Sequence, residues 1–423
     1  MLDRLKVAGA ESRIWSTQYG FKSGSGTADA LFMSRRLLDR IWASSDSSAI
    51  FLALDWAKAF DSISPVGLAD ALVRFGIPPE FVDMVSNIYS GRKFHVKECG
   101  KISNDHCQAF GISQGCPLSP FLFTIVMTVL ISDAHGCLAQ RYGDILSKEF
   151  FIHELLYADD TLLVDCAGPS LQKYMMVIEE LGREYGLELN WKKIECLPIR
   201  CQAHLSAADG SEIPEDSSIT YLGALLANDG KIDSELSRRI GMAAADFKML
   251  KKIWNHVDLS IYQKYRIFDA CIISKLLYGL HTAWLSQIQR RKLDGFYIRC
   301  LRQILGIRPS FISRVSNEAV LARLGVQKLS LLLLEQQLRY FGKIARLPDD
   351  NPLRQITFQP SSLMIAIQHG SRRRGRPRTT WIEEVNKHAI LAAGSRDHLY
   401  QYILDTTCWT QCIRQYCRYS YSG

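Results

Sequence analysis

The stretch Tyr157-Ala158-Asp159-Asp160 places two adjacent carboxylates between two short apolar runs. The run before it covers residues 151–156, and the run after it covers residues 162–164. Apolar runs that flank turn-forming residues are typical of buried strands joined by a hairpin. Asp also suits turns for its own sake, because its side chain bonds its own backbone, so the pair alone indicates a turn more readily than a site.

A third carboxylate strengthens the prediction of a site. Residues 51–54 form another apolar run, which ends in Asp55. Three carboxylates at the ends of neighbouring strands offer the oxygen ligands that hard divalent cations prefer. Two such ions, about 3.5–4 Å apart, stabilise the attacking and leaving oxygens of an in-line phosphoryl displacement. The pattern predicts a polymerase palm with Asp55, Asp159 and Asp160 as metal ligands, whereas Asp61 is assigned a structural role.

Four ordered motifs together resemble the reverse transcriptases of non-LTR retrotransposons, over roughly residues 1–230. In chain order they are Gln18-Tyr19-Gly20-Phe21 with Thr27-Ala28-Asp29-Ala30, then Asp55-Trp56-Ala57-Lys58-Ala59-Phe60-Asp61, then residues 111–120, and finally residues 157–160. The resemblance implies an RNA-directed DNA polymerase that extends a primer 3′-hydroxyl. It implies two Mg²⁺ (or Mn²⁺) ions as cofactors, deoxynucleoside triphosphates as substrates, and an RNA template and a DNA primer as partners.

The resemblance also implies roles for single residues around the nucleotide. It gives the backbone carbonyl of Trp56 as a further metal ligand and Tyr157 as a contact of the nucleotide site. It gives Phe60 as the ring that excludes a 2′-hydroxyl, although periodicity alone favours a core Phe. It gives Gln114 and Gly115 as contacts of the incoming nucleotide and the template.

Further downstream, the resemblance implies a general acid and a primer contact. Lys193 matches the lysine that protonates the departing pyrophosphate, and Lys192 competes for that assignment. The run Tyr221-Leu222-Gly223 resembles the primer grip.

The predicted fold is α+β, a right-hand polymerase with truncated fingers, a palm sheet carrying the Asp triad, a helical thumb and a basic helical C-terminal tail. Residues 1–230 are assigned to partial fingers and palm, 231–347 to the thumb and its extension, and 348–423 to a basic linker and a small helical tail. The family carries a basic fingers segment upstream of the motif that begins at Gln18, so we expect the chain to be a fragment of a polyprotein. A helix after Pro79 is expected to turn four apolar residues inward: Phe81, Met84, Val85 and Ile88.

The net charge of +8 conceals two opposite halves. Residues 1–226 carry 20 Lys and Arg against 28 Asp and Glu, and residues 227–423 carry 31 against 15. The basic half is therefore expected to hold a polyanion. Its densest cluster is predicted to bind nucleic acid, with a solvated linker or a nuclear-import signal as the alternative. That cluster consists of Arg372, Arg373, Arg374, Arg376 and Arg378.

The remaining features narrow the class of protein. The longest apolar stretch, residues 121–131, is short of the ~20 residues of a bilayer span, so it predicts a buried helix and no membrane partner. Scattered cysteines, including Cys408, Cys412 and Cys417 without zinc-site spacing, predict an intracellular protein, and the family's life cycle implies a nuclear one. The oligomeric state stays open. So do two other functions: a catalytically inactive nucleic-acid-binding remnant of such an element, and an intron-maturase-like RNA-binding protein.

Overall fold

A computed structural model describes residues 1–366 and 378–419 and divides the chain into two compact units. The first unit comprises Met1–Ala30 and Ser47–Gly223, and the second comprises Leu31–Asp46 and everything from Ala224 onward. The predicted domain boundaries lie at residues 230 and 347, and the boundaries between the two compact units fall at neither of these residues. No boundary falls at residue 347 because helix Leu329–Ala345 packs on the helices that follow residue 380. The predicted thumb extension and the predicted tail therefore belong to the same unit.

A four-stranded antiparallel sheet forms the centre of the first unit. Its strands are, in spatial order, Glu154–Tyr157, Asp160–Asp165, Ala49–Leu54 and Glu195–Ile199. The two inner strands are almost continuously buried because helices cover the sheet. Runs such as Ile50-Phe51-Leu52 therefore carry no alternation of polar and apolar residues, and their burial follows from their place inside the unit.

Helices with clear sequence signals pack on this sheet. Ser64 accepts a hydrogen bond from the amide of Gly67 at 3.3 Å, and Pro65 occupies the first helical position, so Ser-Pro is the local signal that begins this helix. The helices of the first unit are Leu2–Val7, Ala59–Ser62, Pro65–Arg74, Pro79–Tyr89, Ser119–Tyr142 and Gly168–Glu184, with 3₁₀ turns at Ala10–Arg13 and Trp191–Lys193. Short strands lie at Lys93–Phe94, Lys97–Glu98, Lys101–Ile102, His106–Cys107 and Ser218–Tyr221.

Helix Ser119–Tyr142 is the longest and most apolar helix of the first unit. By length and composition it could cross a membrane, but 72% of its most apolar window is buried inside the protein. Every residue from Phe121 to Ile131 is buried. The predicted buried core helix is therefore confirmed.

The second unit is helical, as the sequence predicts from residue 233 onward. Helix Thr27–Ala43 enters it at Leu31, and one short strand, Ala224–Ala227, precedes its other helices. These are Asp233–Met249, Lys251–Trp254, Ile261–Phe268, Ser274–Leu277, Gln287–Ile304, Ser310–Ser313, Asn317–Leu324, Leu329–Ala345, Pro352–Thr357, Trp381–Ala393, Arg396–Tyr402 and Thr406–Tyr419, with a π-helical turn at Asp269–Ile273 and a 3₁₀ turn at Leu280–Thr282.

Three details of the sequence prediction are wrong. Met84 and Ile88 are each 45% exposed, because helix Pro79–Tyr89 buries a different stripe, with Val85 at its centre. The hairpin strand begins at Glu154 rather than at Phe151, which is exposed. Helix Pro352–Thr357 lies inside the predicted linker, because its first three residues are buried and cannot serve as a solvated connection.

Glu154 is a buried carboxylate that joins the N-terminal segment to two helices. Its oxygens accept hydrogen bonds from the indole of Trp15 at 2.7 Å and the hydroxyl of Tyr174 at 2.9 Å. His135 lies 3.1 Å away. Burial alone would raise the pKa of Glu154, but His135 and the two hydrogen-bond donors outweigh it and lower that pKa below its usual value. The network therefore fixes an ionised carboxylate inside the core.

We expect Glu154→Ala to lower the free energy of unfolding by about 3 kcal/mol, because it removes the acceptor of the half-buried Trp15 indole and of the buried Tyr174 hydroxyl. Urea denaturation followed by circular dichroism measures the change. Glu180→Ala is the matched control, since Glu180 is exposed and pairs with Arg141 on the surface. Equal and small effects of the two substitutions would show that the Glu154 network does not hold the core together.

Candidate active site

The three predicted metal ligands lie at the ends of adjacent strands in the first unit. Leu54 pairs with Thr161 across the two inner strands, so the next position in this register sets Asp55 beside Asp160. Asp159 precedes Asp160 in the turn of the neighbouring hairpin. The structure thus brings all three carboxylates to one edge of the sheet.

Burial and neighbouring negative charge raise the pKa of two carboxylates at this edge, Asp159 and Asp160. The pKa of Asp160 rises to about 6, first through loss of hydration and then through the charges of Asp159 and Asp55. Burial likewise raises the pKa of Asp159, a hydrogen bond from its own backbone opposes this, and Asp55 adds to the rise. Asp160 is exposed by accessible area, so its loss of hydration is partial. The edge therefore carries excess negative charge that a bound cation would neutralise, and protonation below about pH 6 would compete with that cation.

One cation from the protein already faces this edge. The ammonium Nζ of Lys193 lies 3.4 Å from Oδ2 of Asp55. As they stand, no three Asp, Glu, His or Cys side chains in residues 1–366 and 378–419 are grouped to hold a metal ion. Lys193 is 66% exposed and its pair with Asp55 is screened by solvent, while exposed side chains change rotamer within nanoseconds. The donor chemistry, three carboxylates with hard oxygens, still fits a divalent cation.

Trp56 is anchored beside the same edge. Its indole is buried and donates to the hydroxyl of Thr161 at 3.3 Å. Its backbone pairs with Leu189 in an antiparallel bridge. Two backbone hydrogen bonds form this bridge: the amide of Ala57 donates to one neighbour of Leu189, and the carbonyl of Asp55 accepts from the other. The carbonyl of Trp56 makes neither of these two bridge hydrogen bonds, although the residues before and after it do.

The turn that carries Asp159 has a strained backbone. Ala158 adopts φ +57°, in the left-handed region that L residues with a side chain seldom occupy. Gln18, which is fully buried, accepts a hydrogen bond from the amide of Ala158 at 2.9 Å. The side-chain Nε2 of Gln18 donates to the carbonyl oxygen of Ala158 at 3.4 Å. One side chain from far along the chain therefore bonds both polar groups of the strained residue.

Gly20 lets the N-terminal segment approach this turn. A Cβ at Gly20 would lie 2.3 Å from the backbone nitrogen of Ala158, closer than real Cβ atoms approach other atoms. The amide of Gly20 donates to the side-chain carbonyl of Gln18 at 2.8 Å. Two backbone hydrogen bonds to Leu156 seat the same segment beside the hairpin. Sequence reasoning treated residues 18–21 only as a family motif and missed this contact, whose one signal is a Gln and a Gly two residues apart.

Phe60 is half-buried near the start of the short helix Ala59–Ser62. Its ring stacks on Phe123 with centroids 4.8 Å apart and meets the edge of Phe21 at 6.2 Å. Lys58 precedes the helix with φ +49°. The ring packs against the core and is still partly accessible. Its position therefore suits both a core residue and a ring that excludes a 2′-hydroxyl.

Gln114 and Gly115 lie on an exposed loop before the long helix. Gln114 donates to the two carboxylate oxygens of Asp61 at 3.3 and 3.4 Å, which gives Asp61 a contact that holds this loop. Gly111 has φ +85°, and a Cβ there would lie 2.6 Å from the carbonyl oxygen of Asp61. Gly115 has φ +87° with open space around it. The loop is therefore tied to Asp61 at its base and open at Gly115.

Arg92 holds the base of this loop and was not predicted. Its guanidinium donates to the hydroxyl of Ser113 at 2.6 Å and to the carbonyl of Gly111. It also lies 4.5 Å from the ring centre of Tyr89. An Arg after a helix end carries no recognisable signal in sequence, because its acceptors lie about twenty residues downstream.

The remaining predicted residues have these positions. Tyr221 is buried, burial raises its pKa, and its hydroxyl donates to the carbonyl of Leu155 at 3.3 Å, so it braces the hairpin. Leu222 and Gly223 both have positive φ, 47° and 69°, as a tight turn requires.

Arg372, Arg373, Arg374 and Arg376 lie outside the described residues. Arg378 lies over Trp42 at 4.2 Å from the ring centre and donates to the carbonyl of Asp229 at 2.8 Å.

Comparison with known proteins gives a family match over the N-terminal half of the chain. A family model described as reverse transcriptase (RNA-dependent DNA polymerase) matches residues 1–226. The chain is 28% identical over 239 residues to the Pol polyprotein of the Drosophila melanogaster retrotransposable element R2DM, covering 53% of this chain and 22% of that protein. It is 25% identical to an R2 polyprotein of Popillia japonica, covering 60% of this chain and 42% of that protein.

These curated relatives are longer proteins, and the chain spans less than half of their length. Among solved structures, apo telomerase from Candida tropicalis matches with a TM-score of 0.43 and 14% identity, covering 79% of this chain and 53% of that one. That likeness is too distant to support any conclusion about function.

We expect Gln18→Ala to weaken Mn²⁺ binding roughly tenfold or more, because the turn bearing Asp159 loses the side chain that fixes it. The free energy of unfolding should fall by about 2 kcal/mol, since the amide and carbonyl of Ala158 lose a buried partner. Electron paramagnetic resonance of free Mn²⁺ and urea denaturation measure the two effects.

Gln172→Ala is the matched control for Gln18→Ala. Gln172 also bonds both polar groups of one backbone residue, Ser206, at 2.8 Å each, but away from the three carboxylates. It should cost similar stability and leave Mn²⁺ affinity unchanged. Equal Mn²⁺ affinities of the two variants would mean that Gln18 stabilises the unit without positioning the site.

Proposed function

Because the chain belongs to the reverse transcriptase family, we propose that it is an RNA-directed DNA polymerase of the non-LTR retrotransposon type. The single observation that carries this proposal is the convergence of Asp55, Asp159 and Asp160 at one sheet edge, within the residues that match the family. In this proposal the first unit supplies the palm and part of the fingers, and the helical second unit supplies the thumb and a basic tail. Its partners are an RNA template and a DNA primer, in the nucleus.

Asp55, Asp159 and Asp160 would hold two Mg²⁺ or Mn²⁺ ions, with the carbonyl of Trp56 as a further ligand. Bound there, such ions stabilise the charge that develops on the attacking and leaving oxygens of nucleotidyl transfer. The contribution of the protein is to keep the carboxylates adjacent. Gln18 performs part of that task, because it fixes the strained turn whose next residue is Asp159.

Other side chains around the edge would position the reactants. Lys193 is the candidate general acid for the departing pyrophosphate, since its ammonium already lies beside Asp55, while Lys192 remains the competing assignment. Gln114, Gly115 and Tyr157 would contact the nucleotide or template.

The primer and the remaining nucleic acid would be held elsewhere. The turn Tyr221-Leu222-Gly223 would contact the primer. The arginines that end at Arg378 would contact phosphates, which bind guanidinium groups well because of their charge and geometry.

A second candidate function is a nucleic-acid-binding remnant without catalysis. Two observations favour it: Lys193 pairs with Asp55, and in the described part of the chain no three potential ligands are grouped for a metal as they stand. Primer extension separates the two functions, because a remnant binds primer and template but does not extend the primer.

We expect the chain to extend a DNA primer on an RNA template in Mg²⁺, and Asp159→Asn to abolish that extension by at least roughly a thousandfold while nucleic-acid binding stays within about twofold. A gel assay of extension and a filter assay of binding measure the two properties. Asp144→Asn is the control, because Asp144 is exposed and forms a surface pair with Lys148. Extension by Asp159→Asn at the parent rate would remove the carboxylate edge from the chemistry, and binding without extension by the parent would favour the remnant.

We expect Phe60→Ala to admit ribonucleotides, because the loss of the ring opens the space that a 2′-hydroxyl needs. The ratio of deoxynucleotide to ribonucleotide incorporation should fall at least about tenfold, the scale of one pocket contact. Phe60→Tyr is the matched control, since it keeps the ring and its packing on Phe123. A ratio unchanged in an active Phe60→Ala variant would return Phe60 to a purely core role.

A further inference from the structure

A cavity of about 770 Å³ lies within the second unit, and none of the three carboxylates of the candidate active site lines it. Its walls come from helix Thr27–Ala43, residues 225–233, the start of helix Gln287–Ile304 and residues 378–383. That volume lies within the ordinary range for small-molecule sites. Its lining combines arginines with three tryptophans, Trp42, Trp284 and Trp381.

Arg35 is a buried charge in this lining that no carboxylate neutralises directly. It is 6% exposed, and its Nη1 donates to the carbonyl of Gly279 at 2.5 Å and the hydroxyl of Thr282 at 2.6 Å. Its Nη2 is buried and has no hydrogen-bond partner among the described residues. Both of its acceptors are neutral groups, so the carboxylates Glu235 and Asp39 act on the guanidinium only through space. Burial lowers the pKa of Arg35 to about 10, which reports the same cost.

Nearby carboxylates are committed to other arginines. Glu235 is buried and pairs with Arg239 at 2.7 Å and Arg238 at 2.8 Å. Asp39 pairs with Arg36 at 3.1 Å. Of these groups, Arg35, Arg36 and Asp39 line the cavity, so its interior carries one positive charge in excess.

The rim of the cavity adds charges of both signs. Lys231 and Arg378 contribute positive charge, and Asp233 and Glu383 contribute negative charge. Asp233 accepts a hydrogen bond from Gln289 at 2.8 Å, which turns that carboxylate toward a neutral donor. The rim has two charges of each sign, so it leaves the excess positive charge of the interior in place.

We propose that this cavity binds a phosphate group, with Arg35 as its buried positive charge and Lys231 and Arg378 at its entrance. A phosphate supplies the negative charge and the acceptor oxygens that buried guanidinium groups need. The cavity is larger than one phosphate, so it can hold the phosphate together with the sugar or base attached to it. The phosphate could belong to a free nucleotide or to a nucleic-acid strand. This inference does not depend on polymerase activity.

The test is a titration of the full chain with sodium pyrophosphate, with deoxyadenosine triphosphate and with a short single-stranded RNA, all at low salt and in EDTA. EDTA keeps divalent cations, and hence the carboxylate edge, out of the measurement. Tryptophan fluorescence reports occupancy because three tryptophans line the cavity, and thermal unfolding gives a second readout. We expect saturable changes in fluorescence and a higher Tm with at least one phosphate compound.

Two variants and one control decide the assignment. Arg35→Met and Lys231→Met should each weaken the binding about tenfold or more, as the loss of a charge-assisted hydrogen bond does. Arg323→Met, on the exposed face of helix Asn317–Leu324 and outside the lining, should bind like the parent. Lys231→Met keeps the test decisive if Arg35→Met does not fold, because Lys231 is at the rim.

Competition identifies the source of the phosphate. Displacement of deoxyadenosine triphosphate by RNA at equal phosphate concentration would point to a strand, and its absence would point to a free nucleotide; both support the site. The proposal is overturned if the parent shows no saturable phosphate-dependent change, or if Lys231→Met binds as tightly as Arg323→Met.

Discussion

Mutual repulsion among Asp55, Asp159 and Asp160 is the constraint around which the first unit is built. Like charges at neighbouring strand ends raise the free energy of the folded chain unless a cation balances them. The unit tolerates this repulsion because the hydrogen bonds of four antiparallel strands fix the strand ends, and helix Gly168–Glu184 packs on the strand that begins at Asp160. The pKa of Asp160 rises to about 6, first through burial and then through this repulsion.

Holding the carboxylates together requires a segment from the other end of the unit. The turn before Asp159 places Ala158 in a left-handed conformation that costs of order 1 kcal/mol or more. Gln18 and Gly20 offset that cost, one through two hydrogen bonds and the other through the absence of a side chain. The N-terminal segment is therefore part of the site even though it contributes no ligand.

Features with local causes could be predicted from the sequence, and features with distant causes could not. The cap at Ser64, the buried helix after Pro117 and the strand ends at Asp55 and Asp160 follow from short patterns, and the structure contains them. The contact of Gln18 with Ala158 spans 140 residues, and that of Arg378 with Asp229 spans 149, so no local pattern signals either one. The exposure of Met84 shows the same limit, because helical spacing alone allows more than one buried stripe.

The two units differ in charge as much as in fold. The first carries 17 Lys and Arg against 26 Asp and Glu, and the second carries 34 against 17. An acidic unit attracts cations to its carboxylates, whereas a basic unit attracts phosphates, so each composition suits a different class of ligand. The cavity around Arg35 lies in the basic unit, where excess positive charge is buried as well as exposed.

The most direct test of the carboxylate edge is an anomalous difference map from crystals of the chain soaked in Mn²⁺. If Asp55, Asp159 and Asp160 form a divalent cation site, the map will show Mn²⁺ density between their carboxylates, with Lys193 turned away from Asp55. Mn²⁺ density elsewhere, with none between the three carboxylates and Lys193 still paired with Asp55, would contradict the assignment of this edge as a metal site.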